Sequence, residues 1–132
     1  MNITIDTSSL IAVIGNEESK EKIIKITEGS SLCSPLSVHW EIGNALSNMF
    51  KKGRILLEQA QLALFAYNEI PIKFIDVSLV KAINLSHSLN IYAYDAYVIQ
   101  CAKQTGTPLL TLDNGLKVAA QKSGINLLEL QS

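Results

Sequence analysis

The chain opens on a short apolar run, Asn2-Ile-Thr-Ile-Asp6, that closes on a carboxylate. Three hydroxyl residues follow, and then Leu10-Ile-Ala-Val-Ile14 with no polar break. The first run predicts a strand over residues 2–6. The second predicts a helix that starts from Thr7-Ser8-Ser9 and is ended by Gly15-Asn16. Glu17-Glu18-Ser19 opens a second helix, acidic at its start and basic further on, with Ile23, Ile24 and Ile26 inward and Gly29 as its stop. Ser31-Leu-Cys-Ser34, bounded by Pro35, reads as a second strand. Val38, Ile42, Ala45, Leu46 and Met49 then recur at helical spacing over 37–51, with Ser37 as the expected cap.

Lys52-Gly53-Arg54 turns the chain into a further helix over 55–68, striped by Leu57, Ala60, Leu64 and Phe65, so that the two helices form an αα-hairpin. Ile72 to Val77 predicts a third strand, Ser78 caps a helix to Leu89, and Asp95 starts another to Gln104, closed by Gly106. The continuous apolar run Pro108 to Leu112 suits a buried parallel strand. A last helix over 115–123 and a fifth, edge strand over 126–130 complete the series.

Strands that alternate with helices predict an α/β architecture with a parallel sheet. At 132 residues, 48% hydrophobic and 17% charged, the chain is expected to form a single domain over 1–132 with a sizeable core and little disorder. A net charge of -1 gives no global basic field, so a nucleic-acid partner would need a local patch. Cys33 and Cys101 lack metal-site spacing and read as reduced core thiols. No run of about twenty apolar residues is present, so no membrane span is expected. Asp6 breaks the N-terminal apolar stretch and no basic segment precedes it, so no secretory signal is expected either.

The chemistry lies with the acids. Ligands of open α/β sheets bind beyond the carboxyl ends of the strands, and Asp6 and Asp113 end the first and fourth strands. Glu41 follows the second strand by about a turn of helix, and Asp95 opens the helix before the fourth. Helical spacing puts Glu41 at the border of the apolar face (Val38, Ala45) and Asp95 on an inward one (Ile99, Ala102). A carboxylate aimed into a protein needs a partner, and no Lys or Arg sits locally on either face. A shared divalent cation would satisfy Asp6, Glu41, Asp95 and Asp113 together. The ordinary reading of each alone is different: an Asp at a helix start is most often an N-cap, and a helical Glu is most often solvated.

Other residues carry less. His39 and His87 have no ligand-spaced partner. Tyr92, Tyr94 and Tyr97 could stack bases, although a buried or interface cluster is the commoner outcome. Lys51, Lys52 and Arg54 at the hairpin tip could meet phosphates. Ser8, Ser9 and Ser37 have no base arranged for a nucleophile, and no Gly-rich phosphate loop is present.

Ile5-Asp6-Thr-Ser8, Trp40-Glu41-Ile-Gly-Asn-Ala45, Tyr94-Asp95-Ala-Tyr-Val-Ile-Gln-Cys-Ala102 and Leu109-Leu-Thr111-Leu-Asp113 resemble, in order, the four acidic motifs of the PIN domain. Within that family the chain looks most like the VapC toxins of bacterial toxin–antitoxin pairs. The resemblance implies a three-layer α/β/α fold with a parallel sheet of about five strands in the order 3-2-1-4-5. It implies a Mg2+- or Mn2+-dependent endoribonuclease in which Asp6, Glu41, Asp95 and Asp113 are catalytic metal ligands, supported by Thr7 and Thr111. Many relatives carry a further acid or polar residue where this chain has Gly115, and Asn114 is the adjacent substitute. RNA as substrate, with Lys51, Lys52 and Arg54 as contacts, a cognate antitoxin, a homodimer built on Met49, Phe50, Phe65 and Tyr67, and a cytoplasmic location without membrane association are the further expectations. The alternatives are a non-toxin nuclease of RNA processing or DNA flaps, and an inert module that keeps the fold.

Overall fold

The computed structural model describes residues 1–131. Its elements run β1 (Asn2–Ile5), α1 (Thr7–Ile14), α2 (Lys20–Thr27), β2 (Ser31–Pro35), α3 (Ser37–Lys51), α4 (Leu57–Asn68), β3 (Ile72–Ile75), α5 (Leu79–Leu89), α6 (Ala93–Thr105), β4 (Leu109–Leu110) and α7 (Asn114–Lys122). The strands form one parallel sheet in the order β3-β2-β1-β4. β1 is central, with Thr4 opposite Cys33 of β2 on one side and Leu109 of β4 on the other.

Successive side chains of a strand point to opposite faces. Ile3, Thr4 and Ile5 are consecutive and all buried, so both faces of β1 are covered and the molecule has three layers. α6 lies against β1 and β2 and pairs with α5; α1 packs against α2, α3 and α4. α1 contributes Leu10, Ile11, Ala12 and Ile14 to the core, the hairpin contributes Val38, Ile42 and Leu46 with Ala60 and Ala63, and α6 is buried from Val98 to Ala102. The buried Thr4 hydroxyl is satisfied by Thr107 Oγ1 at 2.7 Å. Cys33 and Cys101 are buried free thiols.

The sheet has four strands where five were expected. The last segment makes a single parallel bridge, Leu109 to Leu127, on the outer side of β4. Leu109 N donates to Asn126 O and Leu109 O accepts from Leu128 N, both at 2.9 Å. β4 is only two residues long because the chain turns away at Thr111, so there is no further ladder for the C-terminal segment to join. Two caps also differ from expectation. α3 is preceded by Leu36 with no side-chain cap, and α6 begins at Ala93, which makes Asp95 a first-turn residue and not the cap. Among the described residues, no helix is long and apolar enough to cross a membrane.

Candidate active site

β1 runs out where Asp6 takes the N-cap of α1, with Oδ1 accepting from Ser9 N at 3.1 Å. β4 runs out where Thr111 turns its hydroxyl inward; it donates to Asp6 Oδ2 at 2.6 Å and accepts from Asp113 N at 3.0 Å. Asp113 in turn caps α7 through Leu116 N at 3.0 Å. One turn into α3, Glu41 Oε1 accepts from Thr7 Oγ1 at 3.1 Å. The first turn of α6 brings in Asp95. All four acids line one cleft of about 440 Å³, together with Thr7, Ser8 and Glu17. It sits at the carboxyl edge of the sheet beside β1 and β4, where the strand order reverses, the usual place for a ligand in an open parallel sheet. For Asp6 and Asp113, helix capping and cleft lining are therefore not competing roles; the same carboxylate does both.

Asp6 is buried, and burial pushes its carboxyl above the usual carboxylate range, while Thr111, the Ser9 amide and Ser8 pull it back. Glu41 is also raised, first by burial, then opposed by the Thr7 hydroxyl, with repulsion from Asp6 and Asp95 adding to the rise. Asp95 is raised by burial and by the charges of Asp113 and Asp6. Among the described residues, no Lys, Arg or His lines the cleft. The one ion pair among the described residues, Lys117 with Glu129 at 3.7 Å, does not involve any of these acids.

A divalent cation suits this donor set. Hard carboxylate oxygens in excess negative charge are what Mg2+ and Mn2+ select, and Glu41 Oε2 is buried with no hydrogen-bond partner. As the side chains stand, no three His, Cys, Asp or Glu among the described residues already converge into a chelating group. The fit is thus one of chemistry and shared cleft, with the acids held from four separate segments.

Not every candidate residue reaches the cleft. Asn114 is exposed and does not line the cleft. At Gly115 a Cβ would stand 3.3 Å from Asp113 Oδ1, so any side chain there would crowd the Asp113 carboxylate. Lys51, Lys52 and Arg54 are exposed at the hairpin tip, away from the cleft lining. Tyr67 is buried and its hydroxyl lies 3.0 Å from His39 Nδ1, so it leaves the apolar surface set, in which Phe65 is 73% exposed. His87 is exposed on α5.

Two contributors went unanticipated. Ser8 Oγ lies 2.9 Å from both Asp6 oxygens and accepts from Leu112 N at 3.0 Å, tying β1 to the β4 exit. Glu17 joins the cleft because Asn16, at φ 54°, reverses the chain and Glu17 N returns to Ala12 O at 2.8 Å. The Gly15-Asn16 pair was the only sequence signal for that reversal.

A family model described as the PIN domain matches residues 3–122. The chain belongs to the PIN domain family. No curated protein matches the sequence, but solved structures share the fold. PAE2754 from Pyrobaculum aerophilum aligns with a TM-score of 0.72 at 23% identity, over 92% of this chain and 81% of that one. VapBC2 from Rickettsia felis, bound to a DNA fragment from their promoter, aligns at 0.69 and 18% identity over 99% and 100%. VapC20 from Mycobacterium tuberculosis, a sarcin–ricin loop cleaving toxin, aligns at 0.62 and 12% identity over 89% and 94%. At these identities the likeness is one of fold.

Proposed function

We propose that this PIN domain is a metal-dependent endoribonuclease and the toxin of a toxin–antitoxin pair. The observation that carries the reading is the convergence of Asp6, Glu41, Asp95 and Asp113 on one cleft that contains no cationic side chain. These four acids would hold Mg2+ or Mn2+, with Asp6 and Asp113 positioned by Thr111 and Glu41 by Thr7. Such an ion supplies Lewis acidity and offsets charge on the phosphate oxygens when bound.

The chain's own part is electrostatic and positional. Burial raises Asp6, Glu41 and Asp95, and mutual repulsion adds to the rise in Glu41 and Asp95, a cost that a bound cation would relieve. The hydroxyl relay from Ser8 and Thr111 fixes the Asp6 carboxylate at the end of a buried strand, so it cannot swing with the solvent. Hydrolysis by water would leave no 2′,3′-cyclic phosphate, which separates this chemistry from attack by the neighbouring 2′-hydroxyl.

VapC20 shares the fold and is a toxin that cleaves the sarcin–ricin loop. This supports RNA as the substrate, and the fold shared with a toxin–antitoxin complex from Klebsiella pneumoniae supports an antitoxin as the partner. The test is incubation of the purified protein with single-stranded RNA and Mn2+. Endonucleolytic products without cyclic ends, absent in EDTA and in Asp95→Asn, are expected. Equal cleavage by Asp95→Asn would overturn the reading.

A further inference from the structure

Trp40 is the only tryptophan in the chain, and it is 71% exposed. It is nonetheless braced. The His39 ring meets it edge-on at 4.9 Å and 80°, and His39 is itself held by the Tyr67 hydroxyl at 3.0 Å and by the Phe74 ring at 5.4 Å. Tyr94, 60% exposed, is braced in the same manner by Tyr97 at 5.8 Å and 90°. The two exposed rings line one groove of about 460 Å³ between α3 and the start of α6. Exposed aromatics held in place by half-buried ones lose little freedom when a ligand arrives, which favours stacking.

The rest of the groove is polar. Asn44 and Asn48 line it, and so do Ser37 and Glu41, whose Oγ and Oε2 atoms are buried without a hydrogen-bond partner. An amide both donates and accepts, so it can read the edge of a heterocycle. The groove also shares Thr7, Glu41 and Ala45 with the acidic cleft. A strand whose phosphate lies at the acids therefore delivers an adjacent nucleotide here. Trp40, Asn44 and Asn48 recur at four-residue spacing along α3 and Lys52 follows at its C-cap, a stripe roughly 18 Å long that leads to the basic hairpin tip.

We propose that this groove is a nucleobase subsite, in which an unpaired base stacks on Trp40 and Tyr94 and turns its hydrogen-bonding edge to Asn44 and Asn48. The proposal rests on the ribonuclease reading and assigns this groove to a base beside the cut. Paired bases have their edges occupied and their faces covered. An apolar peptide segment fits less well, since it would leave both amides unpaired.

Because Trp40 is the sole tryptophan, its fluorescence reads the subsite directly. A short single-stranded oligoribonucleotide titrated into metal-free protein is expected to quench it. The same strand annealed into a duplex, or carrying abasic sites, is expected to quench little. Trp40→Ala and Tyr94→Ala should each weaken binding of the single strand, followed by anisotropy of a labelled copy, by about tenfold. Trp40→Phe should restore most of it. In cleavage assays Trp40→Ala should raise KM with kcat nearly unchanged.

Unchanged anisotropy-derived affinity in both alanine variants would overturn the subsite. So would quenching by an Arg-rich peptide but not by the oligonucleotide, which would assign the groove to a protein partner. Failure of the nuclease reading shows up separately, as quenching by the single strand without any Mn2+-dependent cleavage.

Discussion

The Thr111 hydroxyl donates to Asp6 Oδ2 at 2.6 Å and joins the ends of two neighbouring parallel strands through one side-chain bond. Both residues are buried, Asp6 at 5% exposure and Thr111 at 2%. A hydrogen bond to a charged group in such surroundings is worth about 1.5–3 kcal/mol, and its loss leaves the acceptor short of a partner. Thr111→Val keeps the shape and removes the hydroxyl. It should destabilise the protein by about 1–3 kcal/mol in urea unfolding and weaken Mn2+ binding as Asp6 is driven further toward its protonated form. A stability equal to wild type would show that Ser8 and the Ser9 amide suffice to hold Asp6.

Asp95 is repelled by Asp113 and Asp6 and has no ion-pair partner. Asp95→Asn removes that repulsion without changing the side-chain volume. The metal-free variant should melt a few degrees higher than the wild type, while losing the stabilisation that Mn2+ brings. RNA cleavage should fall by at least about 100-fold, since even outer-shell partners of a metal typically cost about 10–100-fold. Scanning calorimetry with and without Mn2+ separates the two effects.

The pH dependence has a definite sign. Asp6, Glu41 and Asp95 are all raised above their ordinary values of 3.8, 4.5 and 3.8. A group raised by folding contributes stability that is fully present below its unfolded pKa and is lost as pH rises through the folded one. These three carboxyls thus penalise the metal-free fold at neutral pH and less so in acid. The Mn2+-induced rise in Tm should be large at about pH 7.5 and small at about pH 5, where protons compete with the ion. A shift independent of pH would mean that the ion binds elsewhere.

Glu17 adds a further negative charge at the rim of the cleft. Glu17→Lys places a cation there and should stabilise the metal-free protein by about 0.2–1 kcal/mol, the range of exposed ion pairs. It should also weaken Mn2+ binding, by competing for the same carboxylates. Titration of Mn2+ against both proteins at matched ionic strength checks this.

Much of this was legible in the sequence, for identifiable reasons. The central strand showed itself because Ile3, Thr4 and Ile5 are bounded by a carboxylate that must end the run, and α1 because Leu10 to Ile14 has no polar break. Asp6 was placed correctly at the end of β1, and Asp6 and Asp113 both at helix starts, because their capping bonds are local, to residues three positions on; β4 stops at Leu110, so Asp113 stands beyond it. What was not legible depended on distance in the chain. Glu17 reaches the cleft only through the left-handed turn at Asn16, and Ser8 reveals its role only once β4 lies alongside. Asp95 is displaced from the cap position because Tyr92 is already extended there, at ψ 156°. The C-terminal segment is rich enough in Leu to read as a strand, but β4 gives it a single residue to pair with.

The central claim is that the four motif acids form one metal-binding centre, and isothermal titration of Mn2+ at about pH 7.5 tests it most directly. Wild-type protein is predicted to bind with release of protons, and Asp6→Asn, Glu41→Gln, Asp95→Asn and Asp113→Asn are each predicted to weaken or abolish that binding while keeping the folded spectrum. Binding left intact in all four variants would contradict the account.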